Sequence, residues 1–355
     1  MIRFYNQQVA DFAHLSAKGS NEVEGFIERD AKKISWSGNL KADLLKVKKA
    51  KFDSKCIRDS YYRPFCRQNL YFYRQFNERV YHIPSIFPHS NTENIAICVT
   101  GKGSAVGFSV LMVNATPNFH FHDTGQCFPL HIATNSNEFG MLDFPDSNWH
   151  LNVTDYAHTE FQNTYSGKGI GKEDIFFYVY GILHSPEYKQ RFAADLKKML
   201  PRIPYAEDFW AFSKGGRKLA DLHLNYEKAE PYPVEQHCDM LPLDPKSLYR
   251  VQKMYFSKRD KKTDKTTITY NSHITLTDIP LEVYEYIVNG KSAIEWIMER
   301  YQITKDTGSA IVNDPNDWAL EHNDPEYILR LLKSIITVSI ETMKIVKGLP
   351  PLSEK

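Results

Sequence analysis

Apolar residues recur at helical spacing near the N-terminus, where Tyr5, Val9, Phe12 and Leu15 predict one helix and Val23, Phe26 and Ile27 extend the pattern. Ser37 is a good helix cap and precedes a leucine-rich stretch, so a further helix is expected over Leu40 to Val47. From Lys55 to Ala133 the texture changes to short β-like runs at 69–76, 95–100, 108–113 and 127–133. Gly101, Gly103, Gly107, Pro117 and Gly125 punctuate them. Near Val153 helical spacing returns, predicting helices over 154–164, 172–183, 186–200 and 206–226. Pro186 suits a helix start after Ser185, and Pro201 and Pro204 prevent continuation at the far end. Residues 249–257 and 266–274 read as a β-hairpin, and helices over 279–286, 292–300 and 325–346 close the chain.

This order predicts an α+β fold, with a sheet-rich N-terminal lobe followed by a mainly helical lobe that carries a β-hairpin. At 355 residues the chain is long enough for two cores. The expected division is 1–150, a helical entry plus a β-rich lobe, and 151–355, a helical lobe with the hairpin at about 248–275. An apolar fraction of 42% with 13% aromatics excludes a disordered chain. Apolar runs such as Ile335 to Ile340 are too short to span a bilayer and the N-terminus has no apolar signal core, so no membrane partner and a cytoplasmic location are expected. Five scattered cysteines without a CxxC pair suit reduced thiols.

Net charge is only +1, yet it is segregated along the chain. Residues 40–102 hold twelve Lys/Arg against five Asp/Glu, residues 103–167 hold no Lys or Arg against six acids, and residues 246–265 hold eight basic against two acidic residues. Clustered charge of one sign attracts polyanions to one face even when the total is near zero. Within the first basic block, Arg58, Arg63, Arg67, Arg74 and Arg79 are threaded among Tyr61, Tyr62, Phe65, Tyr71, Phe72, Tyr73, Phe76 and Tyr81. Cations that pair with phosphate or guanine edges, beside rings that stack, are what a nucleic-acid surface needs. A strand pair with packed aromatics on one face and solvated arginines on the other explains the same residues.

Several motifs are almost present. Gly167-Lys168-Gly169-Ile170-Gly171-Lys172 is one residue short of a phosphate loop and has Glu173 where a magnesium-binding hydroxyl belongs. Gly101-Lys102-Gly103 with Gly107 misses GxGxxG. His120-Phe121-His122-Asp123 offers two imidazoles and a carboxylate but no further ligands at diagnostic spacing, and Glu187-Tyr188-Lys189 falls in a predicted helix without a strand-borne acid. There is no GxSxG, no HExxH, and no Asn/Asp-Pro-Pro-Tyr/Phe loop of the kind amino-methyltransferases use to grip a base. Asn313-Asp314-Pro315-Asn316 is not such a loop.

Residues 58–87, with Tyr62-Arg63-Pro64-Phe65 and Asn77-Glu78-Arg79, resemble part of the C-terminal specificity region of Type ISP restriction-modification enzymes. Residues 173–188, Leu200-Pro201-Arg202-Ile203-Pro204, Tyr270-Asn271, Ile294-Glu295-Trp296 and the run from Asn313 to Trp318 are similar to the same family, in the same order. Such enzymes join a nuclease, an ATP-driven translocase, an adenine-N6 methyltransferase and a C-terminal target recognition domain. The resemblance covers only the last module, from about Trp36 to Leu352. It implies recognition of a short asymmetric site in double-stranded DNA by the lobe within 1–150, and placement of a target adenine for a methyltransferase module of the same polypeptide. It implies no catalytic residue, metal or cofactor in this chain, with S-adenosylmethionine, ATP and magnesium belonging to upstream modules. Charge rather than the resemblance selects the candidate DNA contacts: Arg63, Arg67, Arg74, Arg79 and Lys102 in the first block, and Lys258, Arg259, Lys261 and Lys262 at the hairpin tip. The recurring Tyr62-Arg63-Pro64-Phe65 is compatible with a scaffold role, and 183–186 reads as a helix junction. The alternatives are a metal-dependent nuclease using His120, His122 and Asp123 or another enzyme with an unrecognised site, and a protein-docking module on the methyltransferase.

Overall fold

Where Tyr5, Val9 and Phe12 repeat along one face, the chain forms the helix Ile2–Ala13, whose buried stripe they make. A computed structural model describes residues 1–15, 19–133, 149–166, 169–238 and 244–355. The first helix packs with Ser20–Phe26 and Gly38–Leu45 around Val23, Leu40 and Leu44, a cluster of its own. Ser37 caps the third helix, its Oγ accepting from the Leu40 N–H at 3.2 Å. Leu15 lies beyond the first helix and is 37% exposed.

The sheet-rich region contains β1 (Ile57–Arg63), β2 (Cys66–Tyr71), β3 (Ala96–Val99), β4 (Val110–Val113), β5 (Thr116–Pro117), β6 (Gln126–Pro129), β7 (His131–Ala133) and β8 (Trp149–Leu151). They form three small sheets, ordered β2-β1-β5, β4-β3-β6 and β7-β8. The strand expected at 69–76 is displaced toward the N-terminus. Its second half turns because Asn77 donates to the Tyr71 and Tyr73 carbonyls and Arg74 donates to those of Asn77 and Glu78, all at 3.0 Å. The run 127–133 divides between β6 and β7, which belong to different sheets.

The helix Lys172–His184 crosses Phe209–Leu224 at glycine contacts. A Cβ on Gly181 would lie 2.2 Å from the Phe212 carbonyl oxygen, and one on Gly216 would lie 1.9 Å from that of Phe177. Only glycine allows this approach. The expected helix over 186–200 breaks at Phe192 into Pro186–Arg191 and Ala193–Leu196, and 279–286 contains only the 3₁₀ turn Leu281–Glu285. Ser185 ends one helix and caps the next by accepting from the Tyr188 N–H, as the junction reading expects.

The second sheet-forming region has β9 (Glu235–Cys238), β10 (Tyr255–Arg259), β11 (Lys262–Thr269) and β12 (Ile274–Thr277), ordered β10-β11-β12-β9. The hairpin therefore starts later than expected and turns more tightly. Asp260 and Lys261 form a two-residue tip at φ 51° and 66°. Positive φ at both central residues is the type I′ geometry that matches strand twist.

The α+β class and its order hold: small sheets first, then helices with the inserted hairpin. Hydrophobic clusters cross the expected 150/151 boundary, however. One joins Tyr61, Phe65 and Leu111 to Tyr286, Trp296 and Ile335; another joins Val99 and Met112 to Tyr180 and Phe212. Alternate residues of β3 and β4 point into the two clusters, so these strands serve both. The 21-residue helix Tyr327–Lys347 touches both as well, through Ile335 and Val346. Among the described residues no helix is long and apolar enough to cross a membrane.

Candidate nucleic-acid interface

The Arg-Tyr segment folds as an antiparallel hairpin of β1 and β2, and its turn fixes the roles of its side chains. Phe65 takes φ 56° at the turn and is fully buried, with ring edges against Tyr226 and Tyr286. Arg58 is 3% exposed and donates to the carbonyls of Phe87 at 2.7 Å and Pro88 at 3.2 Å, with its guanidinium 4.4 Å from the Phe72 ring centre. Burial pushes its pKa down to about 10. Arg58 ties the strand to the segment after Ile86, and Phe65 anchors the turn.

The expected DNA contacts divide by what their side chains already touch. Arg67 donates to Asp59 at 2.5 Å, to the Tyr61 hydroxyl at 2.6 Å and to Asn114 Oδ1 at 2.8 Å, and stacks over Tyr61. Arg74 is exposed but holds two loop carbonyls. Arg63 donates to its neighbour's carbonyl and to Asn118 Oδ1 at 3.3 Å. Among the described residues Arg79, Lys102, Lys258, Arg259, Lys261 and Lys262 are exposed and their side chains make no hydrogen bond or ion pair.

Arg79 and Arg63 meet at one place, and the Lys102 backbone lies beside it. A pocket of about 570 Å³ is lined by Arg79, Tyr81, Asn118, Phe119, His122 and Gln126, among others. Arg63 reaches its wall through Asn118. Lys102 adjoins it because its carbonyl accepts from the hydroxyl of Thr124, another lining residue, at 3.4 Å. A Cβ on Gly101 would lie 1.8 Å from the Thr124 carbonyl oxygen, so glycine is required for this loop to close beside the pocket. No described hydrogen bond or ion pair links the four hairpin-tip cations to this rim. Their strands instead face Glu295 and Tyr284 through Lys265. Arg67 lines a separate groove of about 420 Å³ with Asn69, Arg300, Asp314 and Trp318. That groove brings together the Tyr-Arg-Pro-Phe hairpin and the Asn313–Trp318 run.

The histidine cluster does not assemble as a metal site. His120 is exposed and His122 is 1% exposed. The Asp123 carboxylate accepts from Ser104 Oγ at 3.0 Å and the Ala105 N–H at 2.9 Å, closing the glycine loop. Among the described residues no three His, Cys, Asp or Glu side chains are grouped to hold a metal ion. Of the phosphate-loop-like run, Gly167 and Lys168 lie outside the described residues, while Lys172 pairs with Asp155 at 2.7 Å. The pocket residues Asn118, Phe119 and Gln126 were not anticipated. Phe119 stands next to the His-Phe-His run, but no spacing rule connects it to Tyr81, whose ring it meets edge-on at 5.4 Å.

Residues 1–331 match the family model of the Type ISP C-terminal specificity domain. Among solved structures, a nuclease-deletion mutant of the Type ISP restriction-modification enzyme LlaGI in complex with a DNA substrate mimic is 34% identical, with a TM-score of 0.84 over 100% of this chain. The ATP-dependent Type ISP enzyme LlaBIII bound to DNA is 31% identical, with a TM-score of 0.83 over 100% of the chain. A DrdV–DNA complex is 29% identical over 99% of the chain, with a TM-score of 0.83. The chain spans 30%, 21% and 34% of the length of those three proteins. No curated protein matches.

Proposed function

This chain belongs to the Type ISP C-terminal specificity domains, and from that membership we propose that it recognises a short sequence in double-stranded DNA. It positions a target adenine for a methyltransferase module of the same polypeptide. The observation that carries this reading is a likeness over the entire chain to Type ISP enzymes solved with DNA. Phosphate contacts set register and affinity, and base-edge contacts set the sequence. Of the candidate cations, Arg79 in the pocket lining, Lys102 in the adjoining loop, and Lys258, Arg259, Lys261 and Lys262 at the hairpin tip make no side-chain hydrogen bond or ion pair among the described residues and are free to meet phosphate. Arg63, Arg67 and Arg74 act mainly by holding the surface in shape, since their guanidinium groups already donate within the fold.

In this reading the chain supplies recognition and no catalytic group. Methyl transfer, ATP hydrolysis and cleavage, with S-adenosylmethionine, ATP and magnesium, belong to other modules of a cytoplasmic restriction-modification enzyme. Fluorescence anisotropy of the chain with labelled duplexes across a salt series tests the proposal. The expected result is binding that weakens steeply with salt and prefers one sequence over scrambled duplexes. Absence of duplex binding at low salt would sink it and leave docking on the methyltransferase as the function.

A further inference from the structure

The pocket beside Arg79 has features that phosphate binding does not use. Two large aromatic side chains stand at its mouth, Tyr81 at 62% exposure and Phe119 at 51%. Tyr81 is held at φ 45°, a left-handed conformation that bulky residues rarely adopt. Strained backbone at a cleft is a marker of function. In the wall, His122 is 1% exposed and neither ring nitrogen has a hydrogen-bond partner. Buried polar groups are ordinarily satisfied, and nothing among the described residues satisfies this one. Gln126 is exposed, its amide makes no hydrogen bond among the described residues, and it lines the same space. Ile83, Ile86 and Phe121 give the interior an apolar character. A volume of about 570 Å³ is that of a small-molecule site.

We propose that this pocket receives a single unstacked nucleobase of bound DNA. The base enters between Tyr81 and Phe119, its edge turned toward His122, Gln126 and Asn118, while Arg79 at the rim holds the adjoining phosphate. Rings at the mouth match the flat face of a base, and an imidazole with two carboxamides matches its mixed donor and acceptor edge. Burial pushes His122 down to about 3, so at neutral pH its ring carries one donor and one acceptor. The proposal rests on the DNA reading above and deepens it.

The test compares three duplexes of one sequence by anisotropy at fixed salt: fully paired, with one bulged adenine, and with an abasic bulge at the same position. The abasic form keeps the flexibility and charge of the bulge and removes only the base. The bulged adenine is expected to bind about tenfold more tightly than the abasic bulge, the size of one stacking contact. Tyr81→Ala and Phe119→Ala each remove that preference and, being at exposed positions, leave the melting temperature unchanged; Tyr81→Phe retains the preference. Equal affinity for the two bulges, or an adenine preference that survives in both alanine variants, would overturn the pocket while leaving the DNA reading standing. Failure to bind any of the three at low salt would overturn both.

Discussion

Replacing His122 by leucine separates a buried neutral histidine from a solvated one. In the fold the ring is 1% exposed, has no hydrogen-bond partner, and is pushed by burial from an ordinary 6.5 down to about 3. A lowered pKa on a basic group means that the unfolded chain takes up the proton first. The stability is therefore fully present above about pH 6.5 and is lost as pH falls toward 3. At pH 5 the unfolded ring is mostly protonated and the folded ring is not, so the loss is about 2 kcal/mol for this one residue, from 1.36 kcal/mol per pH unit. His223 is also buried and pushed down to about 3, so these two residues together cost the wild type about 4 kcal/mol by pH 5; burial lowers His184 as well, which acts in the same direction. Most carboxylates titrate lower, which leaves the interval from pH 6.5 to 5 to the histidines. The assay is urea unfolding followed by tryptophan fluorescence at pH 8, 6.5 and 5. His122→Leu is expected to match or exceed the wild type at pH 8, because it removes two unsatisfied polar atoms. Its advantage should widen by about 2 kcal/mol at pH 5. A difference that stays constant with pH would show that the ring titrates equally in the folded and unfolded chain, and the neutral buried imidazole would be refuted.

Further expectations concern the two groups of cations and the helix crossing. Arg79→Ala and Lys102→Ala should each lower the slope of log K against log salt by about 0.9 without changing the melting temperature, as measured by anisotropy and calorimetry. Arg67→Ala should instead cost about 0.5–1.5 kcal/mol of stability in urea unfolding, because Asp59, Tyr61 and Asn114 lose their shared donor while Asp59 and Asn114 remain open to water. Lys261→Gly relieves φ 66° at the hairpin tip and should stabilise the fold by about 0.4–1 kcal/mol while removing one phosphate contact from the salt slope. Gly216→Ala places a methyl 1.9 Å from a carbonyl oxygen, and should lower the melting temperature sharply or abolish soluble expression.

Elements with strong local signals were legible in the sequence. The helix stripes, the Ser37 and Ser185 caps and the Pro186 start all appear where spacing and capping chemistry put them. Elements governed by distant partners were not. Six-residue β2 ends at Tyr71 because Asn77 captures its carbonyl from a turn, although apolar spacing continues to Phe76. β9 has half-exposed, mostly polar residues and exists because β12 offers it an edge from Ile274 to Thr277. No period in Glu235–Cys238 could reveal that pairing. The boundary at residue 150 followed a change in texture, whereas the core follows β3 and β4, whose two faces pack against different clusters.

The arginines show the same limit at the level of single side chains. Arg58, Arg67 and Arg79 stand in similar local sequence, each within a few residues of tyrosine or phenylalanine. What separates them is the partner that folding delivers: carbonyls 29 and 30 residues away for Arg58, a carboxylate and an asparagine 8 and 47 residues away for Arg67, and solvent for Arg79. A guanidinium that already donates in fixed directions has fewer donors left for a guanine edge, and moving it would break those bonds. Arg58 and Arg67 are thus spent on holding β1 and β2 in place. Under the proposed function, contact with DNA then falls to the cations whose side chains make no such bonds among the described residues, Arg79 with Lys102 near the pocket and the four on the tight hairpin.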